Sequence, residues 1–288
     1  MAKDTFLNRK TTLNLKGKLV DLSTPAVMGI LNLTADSFYS ESRISSVELA
    51  LKRAESIINE GGLFIDIGAY SSRPGAEEVS EAEEVDKIVT AVAAISETFP
   101  DVFLSIDTFR AKVARAAVEA GAHIINDIAA GNMDEDMFET VADLNVPYLI
   151  MHMKGTPKTM QQHTNYHHMM LEMTSYFSEK VDRLKKLGVK DIILDPGFGF
   201  SKTLDQNYEL LQHMEDLNIF ELPVLAGLSR KSMIYKFLGG GPEQALNGTT
   251  ALNTIALLKG ANILRVHDVK AAAQCIALVG KTQEQQYG

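Results

Sequence analysis

The sequence predicts an α/β protein folded as a single (β/α)8 barrel, and three observations carry that reading. Short apolar runs rich in Val, Ile and Leu recur eight times between residue 27 and the C-terminal region. Each is followed by a segment with helical spacing of apolar residues. The runs are nearly continuous in apolar character, which marks strands covered on both faces, as in a closed parallel barrel. An open doubly wound sheet has the same alternation, but it usually carries a glycine-rich phosphate loop after its first strand. No G-x-G-x-x-G and no G-x-x-x-x-G-K-[ST] is present.

In chain order, residues 1–24 are expected to form a hairpin segment packed on the barrel floor, because LNLKGKLVDL (13–22) places apolar residues on either side of Gly17-Lys18. Residues 25–288 are then the barrel. Its strands are VMGILN (27–32), FIDIGA (64–69), FLSID (103–107), IINDI (124–128), PYLIMH (147–152), DIILDPG (191–197), PVLAGLS (223–229) and ILRVHD (263–268). SSVELALKRAESIINEGG reads as the first helix, closed by Gly61-Gly62. SEAEEVDKIVTAVAAISETF opens with Ser80 three residues before Glu83, a capping box. Thr108 is placed to cap FRAKVARAAVEAG, and Lys231 opens a further helix. Gly239-Gly240-Gly241 follows a helix, lacks the Lys-Ser/Thr of a phosphate cradle, and reads as a loop.

Composition narrows the function classes. With 28 basic against 37 acidic residues the net charge is −9, which disfavours a sequence-independent nucleic-acid binder, since neutralising phosphates needs surplus Lys and Arg. Any anion must be held by a local cluster. The single cysteine, Cys275, excludes an intramolecular disulfide and a thiolate metal cage, which suits a reducing cytoplasm. No run approaches the roughly 18 apolar residues of a membrane span. His163 and His167 have i, i+4 spacing but lack the Glu of a zincin helix, and read as surface histidines.

Barrel chemistry collects where strands hand over to loops at the C-terminal mouth. Those ends are polar here: Asn32, the Ser71-Ser72-Arg73-Pro74-Gly75 loop, Asp107, Asn126-Asp127, Met151-His152, Asp195, Ser229-Arg230-Lys231, and Arg265 with His267. One such Asp or Asn ordinarily caps the next helix. The set as a whole does not fit that explanation, because Asn126 and Arg265 fall inside apolar runs, where an unpaired polar group costs about 1–3 kcal/mol. Arg265 and His267 share one strand face and can meet the same anion, joined by the Ser229-Arg230-Lys231 loop and the helix start at Lys231. Asp195 precedes Pro-Gly-Phe-Gly-Phe, a rigid turn with two aromatic rings. A carboxylate accepts paired N–H bonds from an amino-pyrimidinone edge, and an Asn amide both donates and accepts. Asp107, Asn126 and Asp195, with Lys231 as a further donor, therefore read as a recognition set for a pteridine-like ring.

VMGILNLTADSF (27–38), DIGAYSSRPGA (66–76), SIDTFR (105–110), INDIAAG (125–131), MHMKGTPKTMQ (151–161), ILDPGFGFSKT (193–203), LAGLSRKS (225–232) and LRVHDV (264–269) together resemble the dihydropteroate synthase family. The resemblance implies a Mg2+-assisted transferase that condenses 4-aminobenzoate with 6-hydroxymethyl-7,8-dihydropterin diphosphate, giving 7,8-dihydropteroate and diphosphate. It places the pterin pocket at Asp107, Asn126, Ile128, Met151, Asp195, Phe200, Gly227, Lys231 and Arg265. Diphosphate contacts fall on Asn32, Arg265 and His267, with Asn32 as metal ligand and Asp107 near the Mg2+ shell. The aminobenzoate site falls on Ser72, Arg73, Pro74, Ser229 and Lys231. Asp107, Lys231 and Arg265 are the expected catalytic residues, and a homodimer is the expected assembly. Two loops depart from the family pattern: Ala35 stands where proline is usual, and Ala69-Tyr70-Ser71-Ser72 replaces the commoner Gly-Glu-Ser-Thr. Two other readings are compatible with a pterin site alone: a pterin-binding methyltransferase barrel and a non-catalytic pterin-binding module.

Overall fold

The computed structural model describes residues 10–33, 43–70 and 79–284. A two-stranded hairpin, β1 (Thr12–Leu15) and β2 (Lys18–Asp21), precedes eight parallel strands. These are β3 (Ala26–Asn32), β4 (Phe64–Gly68), β5 (Phe103–Asp107), β6 (Ile124–Asp127), β7 (Tyr148–Met151), β8 (Ile192–Asp195), β9 (Leu225–Ala226) and β10 (Ile263–Val266). They run in the order β8-β7-β6-β5-β4-β3-β10-β9, and a bridge between Leu194 and Val224 joins the two ends. Helices α1 (Arg43–Asn59), α2 (Glu81–Thr98), α3 (Ala111–Ala120), α4 (Met137–Leu144), α5 (Met169–Lys186), α6 (Leu204–Gln212), α7 (Ser232–Leu238), α8 (Leu246–Leu258) and α9 (Val269–Glu284) surround the barrel. The expected (β/α)8 architecture is therefore present, with one extra helix after β9.

Side chains alternate across each strand, and this one rule sorts the whole interior. Outward residues such as Val27, Ile65, Leu104, Tyr148, Leu194 and Val266 are buried against the helices. Inward residues form two layers. The lower one, with Met28, Phe64, Phe103, Ile124, Leu149, Ile193, Leu225 and Ile263, is apolar and shares a cluster with Leu13, Leu15 and Leu22 of the hairpin segment. Two residues further along most of the same strands come Asp66, Ser105, Asn126, Met151, Asp195, Gly227 and Arg265. The floor is greasy and plugged, and the mouth is polar.

The hairpin turn is centred on Lys16-Gly17, one residue before the expected Gly17-Lys18. Both turn residues have left-handed backbones (φ +50° and +90°), the twist that matches a two-residue hairpin loop. This register buries Leu13 and Leu15 on one face, and a one-residue slip would expose them. β9 is much shorter than the expected 223–229. Pro223 has no N–H and joins β8 only as an acceptor from Leu194 N–H at 2.9 Å, while Arg230 at φ +55° turns the chain out of the sheet.

The capping box of α2 is present, with Glu83 N–H donating to Ser80 Oγ and Ser80 N–H to Glu83. Thr108 does not cap α3. The N-cap position is Arg110, Ala111 N–H is taken by Asp134 at 2.7 Å, and the Thr108 hydroxyl donates to Glu84 instead. Gly239 ends α7 in a left-handed conformation.

Candidate active site

At the C-terminal ends of the strands lies a cavity of about 350 Å3, open to solvent and lined by Asp107, Asn126, Ile128, Met151, Asp195, Phe200, Gly227, Lys231 and Arg265. Each of β5, β6, β7, β8 and β10 contributes an inward side chain from its last turn of pleat, and the following loops add Ile128, Phe200, Gly227 and Lys231. Gly227 leaves room: a Cβ there would sit 3.9 Å from both Asp195 Oδ2 and Lys231 Nζ.

Arg265 is the hub of the polar side. Its Nε donates to Asp66 at 2.6 Å and its Nη2 to Asp107 at 2.6 Å. Asp66 is fully buried and also accepts from Ser105 Oγ at 2.6 Å and from Asn126 Nδ2 at 3.0 Å. A guanidinium has five N–H donors, so these two contacts do not exhaust it. Lys231 donates to Phe198 O, and its Nζ lies 4.7 Å from the centre of the Phe200 ring. Asp195 accepts from Gly197 N–H at 2.7 Å.

Burial pushes Asp107 up to about 7, against the opposing charge of Arg265 and assisted by neighbouring Asp66. Burial also raises Asp195, opposed by Lys231, and lowers Lys231 to about 8, opposed by Asp195. For Arg265 burial works against the charge, but Asp66 and Asp107 outweigh it and hold the guanidinium protonated. The cavity thus holds carboxylates and cations in mutual tension beside the apolar faces of Ile128, Met151 and Phe200, a pattern typical of functional sites.

Residues 28–267 match the family described as pterin binding enzyme. The chain is 43% identical over 269 residues to the dihydropteroate synthase of Escherichia coli strain K12, covering 93% of this chain and 95% of that one. It superimposes on the Yersinia pestis dihydropteroate synthase solved with a sulfonamide drug (TM-score 0.89, 42% identity, 95% of this chain and 99% of that one). It also superimposes on the Xanthomonas albilineans enzyme solved with 4-aminobenzoic acid (TM-score 0.87, 36% identity, 95% and 98%). The chain belongs to the dihydropteroate synthase family.

All nine residues that the dihydropteroate synthase motifs place in a ring pocket line the one cavity. Asn32 lies at the exposed end of β3, outside the cavity lining. His267 and Ser229 form a separate pair on the adjoining rim: Ser229 Oγ is 3.0 Å from His267 Nδ1 and accepts from His267 N–H at 3.1 Å. Burial, reinforced by Arg265, lowers His267 to about 4, so it presents a neutral imidazole near pH 7. Arg53 of α1 ties this rim down, donating to His267 O at 2.8 Å and to Ile30 O. Ser71, Ser72, Arg73, Pro74, Gly75 and Ala35 lie outside the described residues.

Three expected mouth residues point elsewhere. Arg230 is outside the cavity lining: its guanidinium is held by Asp268 in a two-pronged contact at 2.7 and 2.8 Å and by Pro242 O at 3.1 Å. Asp127 and His152 have the outward parity of their strands. Asp127 accepts from Tyr148 Oη and from Ala129 and Gly131 N–H, organising the loop after β6, and His152 is buried beside Tyr166, Tyr176 and Phe177.

Sequence reading missed Asp66, Ser105 and Glu84. Asp66 and Ser105 interrupt apolar runs as Asn126 and Arg265 do, and the same cost argument would have flagged them. Glu84 falls on the apolar face of α2, four residues before Ile88, where a charge needs a partner. It finds two, Arg110 at 2.6 Å and Thr108 at 2.7 Å, and so braces the residue that follows Asp107.

Proposed function

We propose that this chain joins the amino nitrogen of 4-aminobenzoate to the methylene carbon of 6-hydroxymethyl-7,8-dihydropterin diphosphate. The carrying observation is the convergence of Asp107, Asn126, Asp195, Lys231 and Arg265 on one cavity with apolar Ile128, Met151 and Phe200 beside them. A flat ring offers edge donors and acceptors to the first group and faces to the second. This assigns the pterin to the cavity, and the diphosphate to the rim formed by Arg265, neutral His267 and Asn32. Aminobenzoate approaches from the side of Ser229 and Lys231, and the family motif assigns Ser72, Arg73 and Pro74 to the same substrate.

In the reaction the C–O bond to diphosphate breaks, its electron pair leaves with oxygen, and the arylamine lone pair forms the new C–N bond. The nitrogen then loses a proton. An arylamine is neutral near pH 7, so no strong base is required. Arg265 and Lys231 offset negative charge growing on the leaving group, while Asp107 and Asp195 offset positive charge spreading into the dihydropterin ring. Opposite unit charges about 4 Å apart attract by roughly 4 kcal/mol at an effective dielectric of 20. Orienting two reactants supplies roughly 7–11 kcal/mol more, so no covalent enzyme intermediate is needed.

Among the described residues no group of three His, Cys, Asp or Glu is placed to cage a metal. Mg2+ keeps several waters and draws ligands from phosphate oxygens, so it needs no such cage, and Asn32, exposed at the end of β3, would be its protein ligand. When bound, Mg2+ neutralises diphosphate charge. Homodimer formation is supported by exposed Phe237, Leu238, Ile255, Leu258 and Leu278 on α7, α8 and α9. No helix among the described residues is long and apolar enough to cross a membrane, and the buried free Cys275 suits a reducing cytoplasm.

Purified protein mixed with the dihydropterin diphosphate, 4-aminobenzoate and Mg2+ is expected to yield dihydropteroate, detected by mass. Retention of pterin without product, or methyl transfer to a corrinoid, overturns the assignment.

A further inference from the structure

Lys202 ends the loop that leaves β8 and is only 3% exposed. Its Nζ lies 3.0 Å from Gly197 O, 3.1 Å from Phe200 O and 3.2 Å from His152 Nδ1. An ammonium has three donors and no acceptor, so these contacts use all of it. Burial, aided by Lys202 itself, holds His152 unprotonated at about 2, which leaves Nδ1 free to accept. Burial lowers Lys202 to about 7, opposed by the charge of Asp195, so the nitrogen is poised between ammonium and amine, and either form has enough N–H donors for both carbonyls.

The loop above it is costly. Gly197, Gly199 and Ser201 all have left-handed backbones, at φ +72°, +83° and +46°, and such conformations persist only where the surroundings hold them. Gly197 approaches β7 so closely that a Cβ would lie 2.2 Å from His152 O. Asn207 takes Gly199 N–H at 2.6 Å, and Tyr166 donates to Ser201 O at 3.0 Å. The same loop carries Phe200 into the cavity wall.

We propose that Lys202 is a positioning residue for the ring end of the cavity: its Nζ draws the carbonyls of Gly197 and Phe200 beneath the turn and thereby sets the Phe200 ring as a stacking face. This rests on the pterin reading of the cavity. Lys202 touches no substrate. Its contribution passes through Phe200, so the two residues act on pterin binding as one unit.

The test is a double-mutant cycle of Lys202→Met and Phe200→Ala, read as separate KM values for the dihydropterin diphosphate and for 4-aminobenzoate, with kcat. Lys202→Met is expected to raise the pterin KM about tenfold, the loss of roughly one hydrogen bond, and to leave kcat and the aminobenzoate KM within about twofold. Added to Phe200→Ala it is expected to cost little more, because the ring it positions is already gone. If Lys202→Met does not fold, Lys202→Gln takes its place under the same criteria. Additive effects, or a fall in all three parameters together, overturn the proposal. Titration with fluorescent 6-hydroxymethylpterin separates the two readings. Failure of the unaltered protein to bind it sinks the pterin assignment, whereas normal binding by both unaltered and Lys202→Met protein sinks the role of Lys202 alone.

Discussion

Asp66→Asn probes the hub of the site without touching a residue that lines the cavity. The buried carboxylate holds Arg265 Nε, Asn126 Nδ2 and Ser105 Oγ at 2.6, 3.0 and 2.6 Å. An amide keeps one acceptor oxygen but turns N–H donors toward the guanidinium or the Asn126 amide, both donors themselves. Removing one partner of a buried ion pair costs about 3–5 kcal/mol, and Arg265 retains Asp107, which argues for the lower figure, about 3 kcal/mol. At roughly 2–4 °C per kcal/mol for a chain of this size, Tm is expected to fall by at least about 6 °C in calorimetry. Arg265 is then anchored on one side only, and a displacement of about 1 Å at a reacting centre can cost roughly 100-fold. A loss of about that size in kcat/KM is expected in a dihydropteroate-forming assay. Ser105→Ala is the control: it removes one bond to Asp66 but leaves the Arg265 tie, and should keep kcat/KM within a few-fold. Native Tm and native kcat/KM in Asp66→Asn would show that Arg265 is positioned by something other than this carboxylate.

Asp107→Asn is expected to lower kcat by about 100-fold while changing pterin affinity far less, because the carboxylate acts on charge that develops during bond breaking; steady-state kinetics beside a pterin titration check this. Gly227→Ala should fold with unchanged Tm, since the new Cβ meets Asp195 and Lys231 at an ordinary 3.9 Å, yet weaken pterin binding by filling the cavity. Leu13→Ala should cost about 2–5 kcal/mol in denaturant unfolding, with the cavity left intact, because Leu13 is fully buried in the barrel floor. Glu172 is held at about 2 by Lys154 and by the N–H groups of His167 and His168. A carboxylate depressed on folding contributes stability above its unfolded value and loses it as pH falls. Unaltered protein should therefore lose its Tm advantage over Glu172→Gln between about pH 4.5 and 2.

The strand and helix pattern was legible because it is local. Apolar periodicity and the Ser80–Glu83 cap act within a few residues, and both appear in the fold. The ring-pocket residues were legible for a related reason: strands of period two bring alternate residues to the same mouth, so Asp107, Asn126, Asp195 and Arg265 had to converge once the barrel closed. What could not be read was pairing at long range. Arg265 meets Asp66 across 199 residues and Arg230 meets Asp268 across 38, and no local rule says which cation faces the mouth and which is spent on a neighbouring loop. Nor does Lys202 look different from any exposed lysine until its three acceptors surround it. By itself, then, the sequence determined the barrel and its polar mouth, which follow from short-range periodicity, while the loop members of the cavity, Ile128, Phe200 and Gly227, were legible only through the resemblance to the dihydropteroate synthase family. Tertiary structure alone decided which charges are paired, which imidazole is neutral and which strand stops early, because these depend on burial and on partners distant in the chain.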